Sequence, residues 1–216
     1  MKLTTTLLSL AGLASATEYG IAANPSAKSF ADLGNGMYTV PIVNGTLDYG
    51  GAVRDATDLS ASAAAAAALD ARGAAEMPGA CEPQFPTRKT TCRSREIRRA
   101  DYLRAYAAFV QWIESGPDDG WIEKQSCKST VYGLAVVSAC SGAGRQPTCR
   151  DELAEAMREI DAYCAEDDGG DIAIRSWNKQ YARHNVRDGD GFNHLAAAAA
   201  AAAAGVLDEE AEKKDE

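Results

Sequence analysis

Large apolar residues crowd into the stretch from Cys81 to Asn193, and their spacing changes several times along it. In RADYLRAYAAFVQWIESG, Tyr102, Tyr106, Phe109, Val110 and Ile113 recur at helical spacing. Gly116-Pro117 ends that run, so a helix is predicted there. A second helix is predicted over TCRDELAEAMREIDAYC, where Leu153, Met157, Ile160 and Cys164 form an apolar stripe. Acids fill its first turn, and Thr148 with Asp151 resembles a capping box. VYGLAVVSAC is a near-continuous apolar run, the pattern of a central strand. WIEKQSCKS before it reads as a weaker strand, with the turn between them at Lys128–Thr130. RKTTCRSREI supplies a first, short strand. DIAIRSWNKQYA supplies a last one, with Ile172, Ile174, Trp177 and Tyr181, bulging near Ser176. This β-α-β-β-α-β order predicts an α+β fold: a split, ferredoxin-like antiparallel sheet with two helices on one face, stapled by disulfides.

The flanks have a different texture. Lys2, the apolar run Thr4–Leu13 and the small-x-small Ala14-Ser15-Ala16 read as a secretory signal peptide over residues 1–16. The run is too short to span a bilayer, so no transmembrane segment is expected. Between Thr17 and Ala80 the best local structure is MYTVPIVNGTLDYG, where Asn44-Gly45 separates two β-prone runs, a strong hairpin signal. Pro41 is expected to confine that pairing to a sheet edge. Asn44-Gly45-Thr46 is the sole N-glycosylation sequon, with Asn44 as acceptor. Two alanine tracts flank the cysteine-bearing part. The first leads to Leu69-Asp70-Ala71-Arg72, which resembles the Leu-x-x-Arg processing signal of fungal secreted precursors, and cleavage after Arg72 is expected. The chain therefore divides into a signal peptide (1–16), a propeptide-like low-order segment (17–72), a disulfide-rich domain (73–195) and an alanine-rich acidic tail (196–216).

Charge and cysteines sharpen this division. The net charge is −9, yet residues 17–80 hold 3 Lys/Arg against 7 Asp/Glu and residues 196–216 hold 2 against 6. The cysteine-bearing part is close to neutral, so the acidic balance says little about what it binds. Its six cysteines are Cys81, Cys92, Cys127, Cys140, Cys149 and Cys164. An even count behind a signal peptide predicts three disulfides in a secreted, extracellular protein. Cys149 and Cys164 sit at opposite ends of the second helix, roughly 22 Å apart at 1.5 Å per residue, so they are not partners.

The signal peptide, the leader with GNGMYTVPI, six cysteines and the apolar strand YGLAVVSAC on this element order resemble a family: secreted fungal effectors with the fold of the smut-virus killer toxin, killer protein six. The likeness covers roughly Cys81–His184. It implies a toxin-like or host-interaction role without catalysis, directed at a host or competitor-cell component. It brings no catalytic motif and no cofactor.

Several groups are candidates for chemistry. A small secreted hydrolase, ribonuclease-like, is the alternative function; it would use His184 with Glu123 as acidic partner and Arg175 as the phosphate-binding cation. His184 and His194 bracket NVRDGDGFN, whose Asp188 and Asp190 suggest a metal loop. No terminal Glu follows at calcium-loop spacing, so it reads as a Gly/Asp-rich turn and no metal is expected. The basic cluster Arg88, Lys89, Arg93, Arg95, Arg98, Arg99 and Arg104 is the largest single-sign patch, and Arg93, Arg95, Arg98 and Arg99 are its candidate binding residues. Its expected partner is an extracellular or host target (protein, glycan or membrane surface), and nucleic acid is not expected. Trp112, Trp121, Trp177 and Tyr181 are candidates for a carbohydrate platform or for the core. A structural wall or adhesion protein is the third class.

Overall fold

In a computed structural model the protein is described over residues 21–22, 24–56, 59, 85, 87–116, 118–165 and 167–188. The signal peptide, Leu69–Arg72, Cys81, His194 and the acidic tail lie outside the described residues. The strands are β1 (Ile21–Ala22), β2 (Gly36–Val43), β3 (Thr46–Leu47), β4 (Val53–Arg54), β5 (Arg88–Glu96), β6 (Trp121–Ile122), β7 (Ser126–Tyr132), β8 (Ala135–Ser141), β9 (Gln146–Pro147), β10 (Asp168–Ile174) and β11 (Lys179–Asn185). The helices are α1 (Phe30–Leu33), α2 (Arg99–Ser115) and α3 (Arg150–Tyr163). One curled antiparallel sheet runs β1-β4-β2-β7-β8-β11-β10-β5, with β3 paired to β2 and a small β6-β9 ribbon beside it.

This mostly β architecture replaces the ferredoxin-like fold expected from the sequence. Two stretches read as single strands turn back on themselves. VYGLAVVSAC contains the turn of the β7–β8 hairpin, in which Tyr132 pairs with Ala135 across Gly133-Leu134. Lys128–Thr130, the expected turn, lies in the middle of β7. Gly133 has φ +57 and Leu134 does not share the positive φ, the pattern of a type II′ turn. The turn is fixed from a distance. Gly133 N–H donates to Asn35 Oδ1 at 2.8 Å, and Leu134 N–H donates to Asp101 Oδ2 at 3.0 Å. A Cβ at Gly133 would collide with the Asp101 carboxylate. Gly133→Ala should therefore cost about 1–3 kcal/mol in urea unfolding, through strain and loss of this carboxylate contact.

The second misread stretch is DIAIRSWNKQYA. A 3-10 turn at Arg175–Trp177, closed by Asn178 in the left-handed region, splits it into β10 and β11. The chain gains a strand, and β5 is pushed outward to the end of the sheet beside β10. The element order on which the family resemblance was read is thus not the order observed.

Two cores sandwich the sheet. On one face α2 and α3 bury Phe109, Trp112, Leu153, Met157 and Ile160 against Val137, Ala139, Ile172, Ile174 and Tyr181. α3 is capped by Cys149, whose sulfur accepts the Glu152 N–H, not by the Thr148–Asp151 box read from the sequence; Thr148 instead meets the Tyr181 hydroxyl at 2.6 Å. On the opposite face, Phe30, Tyr38, Val40, Ile42, Leu47 and Tyr49 pack on Val131, Val136, Ala182 and the Cys127–Cys140 disulfide. All six residues of the first group precede the first cysteine.

β2, part of that N-terminal group, is an interior strand between β4 and β7. Asn44 (φ +50) and Gly45 (φ +78) turn it into β3, with Val43 opposite Thr46. Pro41 does not confine β2 to an edge. Ile42 N–H donates to Gln125 O at 2.7 Å, so alternate residues face β7, and the donor missing at Pro41 points away from β7 toward short β3.

Disulfides join Cys92 to Cys164 (Cα–Cα 5.5 Å) and Cys127 to Cys140 (Cα–Cα 4.0 Å). The first ties β5 to the end of α3; the second crosses β7–β8 between directly opposed residues. Cys149 is disulfide-bonded too. No helix among the described residues is long and apolar enough to cross a membrane.

Candidate interaction site at the open edge of the sheet

The hydrolase residues are dispersed. His184 lies on β11 opposite Val136, five positions along the strand from Lys179 at its other end. At 3.3 Å per residue this is roughly 16 Å of strand, with Arg175 beyond its far end. His184 is buried, its ring 5.4 Å from that of Phe30. Burial, with Arg93 nearby as a lesser cause, pushes its pKa down to about 3, so the imidazole is neutral at physiological pH. Glu123 instead faces Arg145, with Oε1 2.9 Å from Nε, and its backbone carbonyl accepts from Ser126 at the β7 end that pairs with Ser141, next to Lys179 and away from His184. Asp188, from the Gly/Asp-rich loop, accepts Asn185 N–H at 3.0 Å and faces Arg95 at 3.3 Å, closing a turn.

The basic residues are also partly committed. Arg93 bonds Asp171 at 2.8 Å, Arg95 reaches Asp188, and Arg98 lies 3.8 Å from Asp101. Arg99 is exposed at the start of α2. The aromatic set divides. Trp112 and Tyr181 are fully buried, Trp177 packs on Phe85, and Trp121 is partly exposed under the Arg145 guanidinium. Exposed Asn44 occupies the β2–β3 turn.

What the fold does present is β5. It is nine residues long and mostly exposed, and among the described residues it pairs on one side only, with β10. Arg175 N–H donates to Thr87 O at 3.0 Å, and the register continues Lys89↔Ala173 and Thr91↔Asp171. Those residues bond to β10. The alternate ones, Arg88, Thr90 and Cys92, aim their N–H and C=O groups outward from the sheet. Beyond them the ladder is interrupted. Cys92 is opposite Gly170 and Glu96 opposite Asp168, so Arg93, Ser94 and Arg95 bulge against Gly169.

This edge is held rigidly. Arg88 bonds Glu159 of α3 at 2.9 Å, Cys92 is cross-linked to Cys164, and Arg93 and Arg95 are anchored as above. At one end Thr87, Arg88, Lys89, Arg175 and Ser176 line a shallow cleft. Its floor is ordered by Thr87, whose hydroxyl donates to Ser176 Oγ at 2.9 Å and whose Oγ1 accepts Ser176 N–H at 2.9 Å. Lys89 and Arg175 are exposed there, and neither has a carboxylate partner among the described residues. At the other end Tyr163 is 69% exposed beside the Cys92–Cys164 bridge, the Cys92 sulfur lying 3.5 Å from Tyr163 O. Among the described residues the arrangement is an open hydrogen-bonding edge with two cations that lack a carboxylate partner at one end and an exposed aromatic ring at the other.

The sequence carried a signal for this edge that element counting passed over: RKTTCRSRE combines β-branched residues with four cations, the composition by which edge strands resist self-pairing. No protein-family model, curated protein or solved structure matches the chain.

Proposed function

We propose that the protein is a secreted, disulfide-stapled effector or toxin-like molecule that acts by binding, without catalysis, and that β5 captures an extended acidic segment of a partner protein as an added strand. One observation carries the reading: the outward backbone groups of Arg88, Thr90 and Cys92 lie beside uncommitted Lys89 and Arg175. Strand addition draws its affinity from main-chain hydrogen bonds and its selectivity from side chains flanking the edge. Here the flanking charge selects carboxylates. It also opposes a second copy of the chain, because edge-to-edge pairing would bring Lys89 of two molecules, which has no carboxylate partner among the described residues, close together. The disulfide and ion pairs hold the edge in its extended form beforehand, which lowers the ordering cost of binding. Formed disulfides agree with an oxidising compartment.

The test uses an extended peptide of alternating Thr, Val and Glu as probe, measured by calorimetry. Thr90→Pro removes an outward N–H without breaking a bond to β10, so the fold should survive while affinity falls at least about tenfold. Lys89→Glu with Arg175→Glu should lower affinity by a similar factor or more, about 1.4 kcal/mol, and favour a Lys-containing counterpart of the peptide. Equal binding by the Thr90→Pro protein would remove strand addition. Tighter binding of an RNA oligonucleotide or a heparin fragment than of the peptide would mark a general anion surface instead.

A further inference from the structure

Residues 24–56 belong to the segment expected from the sequence to be a propeptide, with cleavage after Arg72. We infer that this segment is a permanent strand-bearing part of the fold, so that a cut between it and β5 leaves two polypeptides in one noncovalent assembly and releases no propeptide. The hydrolysis itself is ordinary: an external endoprotease adds water across the Arg72–Gly73 peptide bond, leaving a carboxylate and an amine.

The grip is extensive and runs across both faces of the sheet. β2 pairs with β7 from Gly36↔Val131 to Pro41↔Ser126, in the sheet interior. Its removal would expose the whole of the β7 edge. On one face, Phe30, Tyr38, Val40, Ile42 and Leu47 are each at most 8% exposed, and Phe30 covers the His184 ring. On the other, Met37 joins the helix-side core, and Thr130 donates to its sulfur at 3.2 Å.

Polar contacts fix the register. Lys128, on β7 and 3% exposed, places Nζ 2.9 Å from Thr39 Oγ1, 2.6 Å from the Asp55 carboxylate and 3.1 Å from Asp118, above the Trp112 ring. Loss of the segment would strip that buried ammonium of two partners at once. Asn35 likewise holds the Gly133 turn between β7 and β8.

No covalent bridge enforces this attachment, since no cysteine precedes Cys81. The contacts named above all come from residues 30–55 on the N-terminal side. Once cut, the N-terminal piece stays because leaving would open the sheet interior, uncover one of the two cores and take the Thr39 and Asp55 contacts from Lys128, leaving it Asp118.

The test keeps the full chain with its disulfides intact. Leu69→Ile, Asp70→Glu and Ala71→Gly create a factor Xa site that ends at Arg72. After cleavage, size-exclusion chromatography with light scattering should return the mass of the uncut protein. The pieces should separate only at denaturant concentrations that unfold the sheet. An N-terminal piece eluting alone from native buffer, with β7 amides losing protection from hydrogen exchange, would overturn the inference. A second measurement uses the unaltered chain. Tyr38, Val40 and Ile42 amides should exchange as slowly as those of β7; exchange at least a hundredfold faster would show that β2 opens independently and would equally overturn it. Neither result depends on the acidic peptide, so this inference and the strand-addition reading stand or fall separately.

Discussion

Glu152→Ala should destabilise the protein by about 3–5 kcal/mol, and adding Lys179→Met should recover most of that loss. Lys179, at the start of β11, is 2% exposed at its side chain. Its ammonium donates to Pro147 O at 2.6 Å and pairs with the Glu152 carboxylate in the first turn of α3. The Tyr181 hydroxyl bonds the same carboxylate oxygen and meets Thr148 at 2.6 Å. Burial lowers the Lys179 pKa while Glu152 pulls it back up; burial first, then Glu152, raises Tyr181 well above its ordinary value. Removing the carboxylate therefore leaves an ammonium beneath the helix without its counter-charge. Removing both charged groups leaves no buried charge without a counter-charge, and the Tyr181 hydroxyl keeps Thr148 as its partner beside the methionine. Urea unfolding of the wild type, the single and the double variant measures the effect. A loss below about 1 kcal/mol for Glu152→Ala would show that the pair is solvated and does not anchor α3 to the sheet.

Acidification from pH 7 to 4.5 should cost about 3 kcal/mol through His184 alone. Its folded pKa is pushed to about 3, against 6.5 in the unfolded chain. Above 6.5 neither state binds the proton and the group is without effect. Below 6.5 the unfolded state takes up a proton that the folded state refuses, and stability falls with a slope of 1.36 kcal/mol per pH unit until about pH 3. Asp55 works in the opposite sense. Burial raises its carboxyl pKa, so the folded state gains relative stability as that carboxyl protonates, and Lys128 moderates the shift. The difference between wild type and His184→Gln isolates the histidine, because Asp55 is common to both. Parallel pH profiles for the two proteins would show that His184 is accessible to protons in the native state. That outcome would also reopen His184 as a candidate acid or base.

The parts of the fold legible in the sequence are those specified by neighbours in the chain. α2 and α3 follow from apolar spacing and from Gly116-Pro117, and the β2–β3 turn follows from Asn44-Gly45. The elements misread are those specified from far away. The Gly133 turn is held by Asn35 and Asp101, residues 98 and 33 positions distant. The Arg175–Trp177 turn carries no glycine or proline, and it is tied to Thr87 by hydrogen bonds that span 89 positions. β2 was legible as a strand but not as an interior one. Its burial depends on a matching face of Cys127, Val131 and Val136 that only the folded sheet brings opposite it. Of the candidate site, the cations of β5 were visible in the sequence, whereas their commitments were not. Asp171 and Asp188, which engage Arg93 and Arg95, arrive from β10 and from the turn after β11. Lys89 and Arg175 become a pair of uncommitted charges only because β10 ends beside the first residues of β5.

Backbone amide signals during titration with the alternating Thr/Val/Glu peptide test the strand-addition account most directly. The N–H groups of Arg88, Thr90 and Cys92 should shift and gain hydrogen-exchange protection, while those of Lys89 and Thr91, already bonded to β10, should keep theirs. Protection spread evenly over all five residues, or confined to side-chain signals of Lys89 and Arg175, would contradict pairing of an added strand at this edge.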